Sequence, residues 1–171
     1  MFTRHRHWVI LLAPLGWGVV QVQAQKDHSM MLFGIVEDLK SGKPLSNACV
    51  RFATDSVMGD SVFTDGRGAY QTFIPLGDRY RLTYAADGHH VKSLIVDATG
   101  EMEPADRQRE WNLRIDITLA SSALDLPEDL LDMPFGIASW VPAMHEFQWD
   151  GPYTERYREQ FKLAVKAAEK K

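Results

Sequence analysis

Residues 111–119, WNLRIDITL, alternate without a fault. Trp111, Leu113, Ile115, Ile117 and Leu119 fall on one side of an extended chain, and Asn112, Arg114, Asp116 and Thr118 on the other. A period of two describes a strand with one buried and one wetted face, whereas a helix scatters the same residues around its axis. Burying five such side chains contributes on the order of 2 kcal/mol each, but only if a second layer covers them. The chain is thereby bound to a layered β architecture.

Shorter runs of the same kind lie upstream. Residues 31–38, the set Ala48, Val50 and Phe52, residues 61–64 and 69–74, the set Tyr80, Leu82 and Tyr84, and residues 91–97 each read as a strand. Gly, Pro and Asp clusters separate them. Thr64-Asp65-Gly66-Arg67-Gly68-Ala69-Tyr70 reads as the turn of a hairpin. With 111–119 these make seven strands and no helix, so the expected fold is mainly β: a seven-stranded antiparallel β-sandwich over 31–119.

The flanks have a different character. Residues 1–7 carry Arg4 and Arg6 and no acid, an apolar run follows to Val20, and Val22-Gln23-Ala24 offers small residues before a cleavage point. This is the layout of a secretory signal peptide, 1–24, with the cut expected between Ala24 and Gln25 and a linker over 25–30. The run is shorter than the roughly 20 residues of a membrane span, so no stable span is expected after signal removal. Without Arg4 and Arg6 the formal charge goes from −4 to −6, with 17 basic against 23 acidic residues. That balance excludes a nucleic-acid backbone as partner, which requires clustered Lys and Arg. The lone Cys49 cannot form an internal disulfide, and a packed residue is the simpler reading of it than a reactive thiol.

Beyond residue 119 two segments are expected. Residues 120–152 form an aromatic-rich extension, and residues 153–171 a C-terminal amphipathic helix with Thr154 as N-cap. Tyr153, Tyr157, Phe161, Ala164, Val165 and Ala168 make one apolar stripe along that helix. Trp140, Phe147, Trp149 and Tyr153 crowd outside the predicted sandwich and must bury against something. Two outcomes are open: they fold back over an open sheet edge, or they anchor a protein partner.

Taken in order, Gly34-x-Val36-x-Asp38, Ser41-Gly42-x-Pro44-Leu45-x-x-Ala48-x-Val50, Thr64-Asp65-x-x-Gly68-x-Tyr70, Pro75-x-Gly77-x-x-Tyr80-x-Leu82 and Gly88 resemble a carboxypeptidase regulatory-like domain. The resemblance covers 31–119, about half of the chain, and implies a transthyretin-like (Ig-like) β-sandwich. It assigns turns to Gly42, Gly66, Gly68, Gly77 and Gly88, with Gly42 and Pro44 turning the first hairpin, and an inter-sheet core to Tyr70, Tyr80 and Leu82. His89 departs from the aromatic residue usual at its position. In zinc carboxypeptidases the module is an accessory to a separate catalytic domain. Small exported forms are common in the Bacteroidetes, often as envelope or adhesion components.

Candidate chemistry is sparse. His145-Glu146 has no second His four residues on, so the metalloprotease helix motif fails. The C-terminal Tyr-Arg-Gly-Ser of the related hydroxyisourate hydrolases is missing. His89 and His90 read as a solvated loop. Asp55, Asp60 and Asp65 flank one hairpin without the ligand density of a calcium loop. No catalytic, cofactor or metal residue is therefore assigned. The expected function is a noncatalytic exported binding or assembly module of the bacterial cell envelope, periplasmic or on the cell surface, acting through protein contacts. A carbohydrate-binding module using Trp111, Trp140 and Trp149 is the first alternative, although Trp111 and Tyr84 stand at inward strand positions. A small hydrolase is the second.

Overall fold

The computed structural model describes residues 29–54 and 59–170; the expected signal peptide and Asp55 lie outside them. Among these residues ten strands form two sheets. The first contains β1 (Ser29–Asp38), β4 (Ala69–Pro75), β7 (Trp111–Arg114) and β8 (Ile117–Leu119), with β1 central. The second runs β10-β9-β6-β5-β2-β3, built from β2 (Cys49–Ala53), β3 (Ser61–Phe63), β5 (Arg79–Ala85), β6 (Lys92–Asp97), β9 (Ile137–Val141) and β10 (Glu146–Trp149). Two short helices, α1 (Pro104–Arg107) and α2 (Glu128–Asp132), one long one, α3 (Gly151–Ala168), and a 3-10 turn at Pro142–Met144 complete the elements among the described residues. Among the described residues no helix is long and apolar enough to cross a membrane.

The sandwich with a C-terminal helix is as expected, but its details differ from the sequence reading. Strand β1 starts at Ser29, so the end of the expected linker is already paired, Met30 opposite Ile74. The sheets are mixed: β7 and β8 run parallel to β1, and β9 runs parallel to β6. The expected strand 111–119 is two strands, broken at Ile115 and Asp116, although its alternation survives and Ile115, Ile117 and Leu119 are buried. The sandwich does not stop at residue 119, because β9 and β10 extend the second sheet.

Two turns read as hairpins are crossovers between sheets. The stretch at Gly42 and Pro44 leads from β1 in the first sheet to β2 in the second, and the Asp65–Gly68 turn leads from β3 back to β4. In the latter, the Asp65 carboxylate accepts from the amides of Arg67 (2.8 Å) and Ala69 (2.9 Å), which hold it below the usual carboxylate range, the Ala69 bond first. Gly68 has φ +72°, and a Cβ there would press on the Val36 carbonyl, whose own amide donates to Gly68 O. Only glycine meets both demands. Gly42, Gly77 and Gly88 also take positive φ, whereas Gly66 does not and has open space around it, so Gly66 is no obligatory turn glycine.

The core lies between the sheets. Leu32, Val36 and Ile74 face Val50, Leu82, Leu94 and Val96, all fully buried. Tyr70 and Tyr84 pack edge to face, 5.6 Å apart, with hydroxyls 2.8 Å apart. Because Tyr70 donates its proton to the Ile115 carbonyl (3.0 Å), Tyr84 must donate to Tyr70, and both phenols are satisfied. A second cluster joins Tyr157 and Phe161 of α3 to Leu126 and Leu130, so the predicted apolar stripe of the helix does pack inward. Phe135 touches both clusters. The helix begins earlier than expected: its N-cap is Asp150, which accepts from the Tyr153 amide at 2.9 Å, and Pro152 fills the first turn. The Thr154 hydroxyl instead donates to the Asp150 carbonyl.

Candidate functional site

The four tail aromatics separate. Trp140 on β9 is 6 % exposed and forms an edge-to-face triad with Trp111 (5.2 Å) and Phe147 (5.4 Å), which themselves lie 5.6 Å apart. Each indole N–H is satisfied by a backbone carbonyl, Trp140 by Glu101 and Trp111 by Asp106, both at 2.9 Å. Trp140 is thus out of reach of a partner, and Phe147 packs half-buried against the main core. Tyr153 is tied by its hydroxyl to the Pro134 carbonyl at 2.6 Å. Trp149 alone of the four remains exposed, at 38 %. Tyr84 is fully buried, and Trp111 is enclosed by the triad and by Arg109, stacked 4.4 Å above it, so neither is a sugar platform.

Next to the triad the fold brings together Glu103, Asp106 and His145, whose donor atoms lie within 4.8 Å of one another. The sequence reading weighed His145 only together with Glu146, because 39 residues separate it from Asp106. Asp106 is buried at 5 % exposure, and its charge is shared by His145 Nδ1 (2.7 Å) and Arg109 Nη1 (3.5 Å). The three side chains have the donor types of a divalent-cation site, but Asp106 is already compensated within the chain. The hydrogen bond from His145 to Asp106, followed by their charge attraction, raises the histidine above the ordinary imidazole range. Folding therefore favours the protonated ring. That stabilisation is fully present below the unfolded pKa and is lost as pH rises through the folded one. Accordingly, the melting temperature of the wild-type chain is expected to fall relative to that of His145→Asn between about pH 6 and pH 8. Asparagine suits the left-handed φ of +51° at this position, so thermal melts of the two proteins across that range isolate the titration. Parallel curves would remove this role.

The adjacent histidines are not a solvated loop. His89 Nε2 is paired with Asp38 (3.1 Å) and its Nδ1 with the Asp87 carbonyl (2.8 Å), while His90 Nε2 meets the Leu124 carbonyl (2.7 Å). Asp65 is spent on its turn, and neither it nor Asp60 belongs to the metal-ligand grouping found among the described residues.

The surface that stands out lies elsewhere. Along β1 the even-numbered residues Met30, Leu32 and Val36 enter the core, while Met31, Phe33 and Ile35 point to the opposite face of the first sheet, half-buried by their neighbours. Phe73, directly across from Met31 on β4, is 54 % exposed. None of these four joins either apolar cluster. A sandwich with a wetted outer face carries polar residues here. The signal was present in the uninterrupted apolar run MMLFGIV at 30–36, which describes a strand covered on both sides.

No family model matches the chain, and no curated protein matches it. Among solved structures it is similar to a catechol 1,2-dioxygenase from Acinetobacter sp. ADP1 inhibited by bound mercury, at 17 % identity and TM-score 0.42 over 63 % of this chain and 56 % of that one. It is also similar to 5-hydroxyisourate hydrolase from Klebsiella pneumoniae (16 % identity, TM-score 0.40, 54 % and 91 %). A third is the pilus 2b backbone protein of group B streptococcus (11 % identity, TM-score 0.38, 53 % and 40 %). The chain spans little more than half of the dioxygenase. Similarity this distant assigns no activity.

Proposed function

We propose that the protein is a noncatalytic, exported module of the bacterial cell envelope that assembles with a protein partner through the outer face of its first sheet. The observation that supports this reading is the strip Met31, Phe33, Ile35 and Phe73, large apolar side chains on a sheet face that no apolar cluster among the described residues covers. Contiguous apolar patches of this kind mark interaction surfaces on soluble proteins. The face sits on the central strand of the sheet and its antiparallel neighbour, so its shape is rigid before binding and little ordering cost opposes association. The resemblance to carboxypeptidase regulatory-like domains, in which the module serves as an accessory, points the same way.

The test is a double substitution, Met31→Lys with Phe73→Lys. Both side chains lie off the core, so the melting temperature should move by only a few degrees. In fractionated cells the wild-type protein is expected to sediment with envelope complexes and the double variant to run as a free domain. Co-sedimentation unchanged by two lysines on this face would refute the reading.

A further inference from the structure

A cleft of about 1350 Å³ opens between α3 and the stretch that carries β8 and the loop after it. A buried charge lines it. Lys92 of β6 is only 7 % exposed, and among the described residues its ammonium makes no ion pair and no hydrogen bond. Its ammonium rests on the face of Phe161, 3.8 Å from the ring centroid. Tyr157, stacked on the same Phe161 ring at 5.8 Å, is 4 % exposed, and its buried hydroxyl has no hydrogen-bond partner among the described residues. A buried ammonium normally has a carboxylate and a buried phenol an acceptor, so two donors packed on one aromatic ring and both short of an acceptor are not the residue of ordinary packing. Burial alone lowers the Lys92 ammonium to about 8, consistent with a cation that lacks a counter-charge.

We propose that this cleft binds a carboxylate that carries an apolar body. One carboxylate oxygen takes the Lys92 ammonium and the other accepts the Tyr157 proton; both are charge-assisted bonds in a site of low polarity. The remainder of the ligand lies along Phe135, Leu124 and Val165, which line the same cleft. The rim supports the sign of the ligand. Arg114 is paired with Asp116 at 2.9 Å and Arg158 with Glu155 at 2.7 Å, which leaves Lys40, Lys162 and Lys166 facing Glu169. An entering anion therefore meets a net positive mouth. This site is separate from the outer sheet face and stands whether or not that face docks a partner.

Acyl and aryl acids share this chemistry, and the experiment distinguishes them. The full chain is titrated calorimetrically with decanoate, with 2-naphthoate, and with 1-decanol as the uncharged control. One of the two acids is expected to bind in the micromolar range and the alcohol at least roughly tenfold more weakly, as loss of a charge-assisted bond dictates. Tighter decanoate identifies an acyl chain as the apolar body, and tighter naphthoate an aromatic one. Tyr157→Phe, which removes only the unpartnered oxygen and leaves the packing intact, should weaken the acid about threefold to tenfold and leave decanol unchanged. Lys92→Met should weaken the acid further. Because that variant loses a buried charge and its fold must be verified, the ε-carbon resonance of Lys92 in the wild-type chain serves as a second readout, expected to shift with acid and not with alcohol. Equal affinity for decanoate and decanol, or no acid binding below about 1 mM, overturns the proposal.

Discussion

A chain ended after Ala120 is expected to be unfolded, with far-ultraviolet circular dichroism lacking the strand signature of the full protein. The seven strands read from the sequence make a sandwich that closes at residue 119 and leave open whether the tail packs on it. The difference lies in β9, whose Ala138 and Trp140 are buried and which pairs with β6 through Ile95 opposite Ile137 and Val96 opposite Ala138. Truncation leaves β6 as an edge strand with Leu94, Ile95 and Val96 uncovered on one side, and it removes Leu126, Leu130, Tyr157 and Phe161 from the second cluster. At about 1.5–3 kcal/mol for each large side chain, the loss is comparable to the entire stability of an ordinary domain. A truncated chain that melts cooperatively would show that the tail is an independent appendage.

Substituting Gly34→Val is the second severe case, expected to destabilise by about 3 kcal/mol or more and to yield little soluble protein. Gly34 lies on β1 where the chain passes from β7 to β8, and a Cβ at this position would collide with the Ile115 carbonyl carbon at 2.5 Å and with its oxygen. The backbone at this crossing is fully engaged. The Ile115 amide donates to the Phe33 carbonyl at 2.8 Å, and the Ile35 amide donates to the Asp116 carboxylate at 3.1 Å in place of a ladder bond. Neither strand can withdraw without breaking both bonds. Chemical denaturation of the purified variant measures the cost, and a midpoint equal to that of the wild type would contradict this packing.

The break at Ile115 and Asp116 explains why so regular a sequence conceals two strands. Alternation reports which face a side chain takes, and the kink leaves that parity intact, so nothing in the pattern marks it. Pairing direction was equally hidden. Whether β7 and β8 run with or against β1 depends on a partner some 80 residues away in the chain, and local turn chemistry is silent on it. Strands β9 and β10 were missed for their brevity and for Pro142 directly after Val141, which reads as loop. By contrast, the true start of α3 was legible: Asp150 followed two residues later by Pro152 is a stronger helix start than Thr154.

The same division holds for candidate sites. Tail aromatics were visible by composition, but whether each one packs or protrudes follows from the sheet that β9 and β10 join. The buried Lys92 carries no mark in the sequence, because VKSLIV reads as an ordinary strand with a solvated lysine. The outer face of the first sheet was recoverable. Seven residues dominated by large apolar groups exceed what one buried face of a strand requires.

The central claim, that recognition lies on this face, is tested most directly by site-specific photocrosslinking in intact cells. A photoreactive residue is placed at Phe73 in one protein and at Phe63 in another, the latter 60 % exposed on the edge strand β3 of the other sheet. A discrete crosslinked protein adduct is predicted from position 73 and none from position 63. The same adduct from both positions, or none from 73, would contradict the assignment of this face.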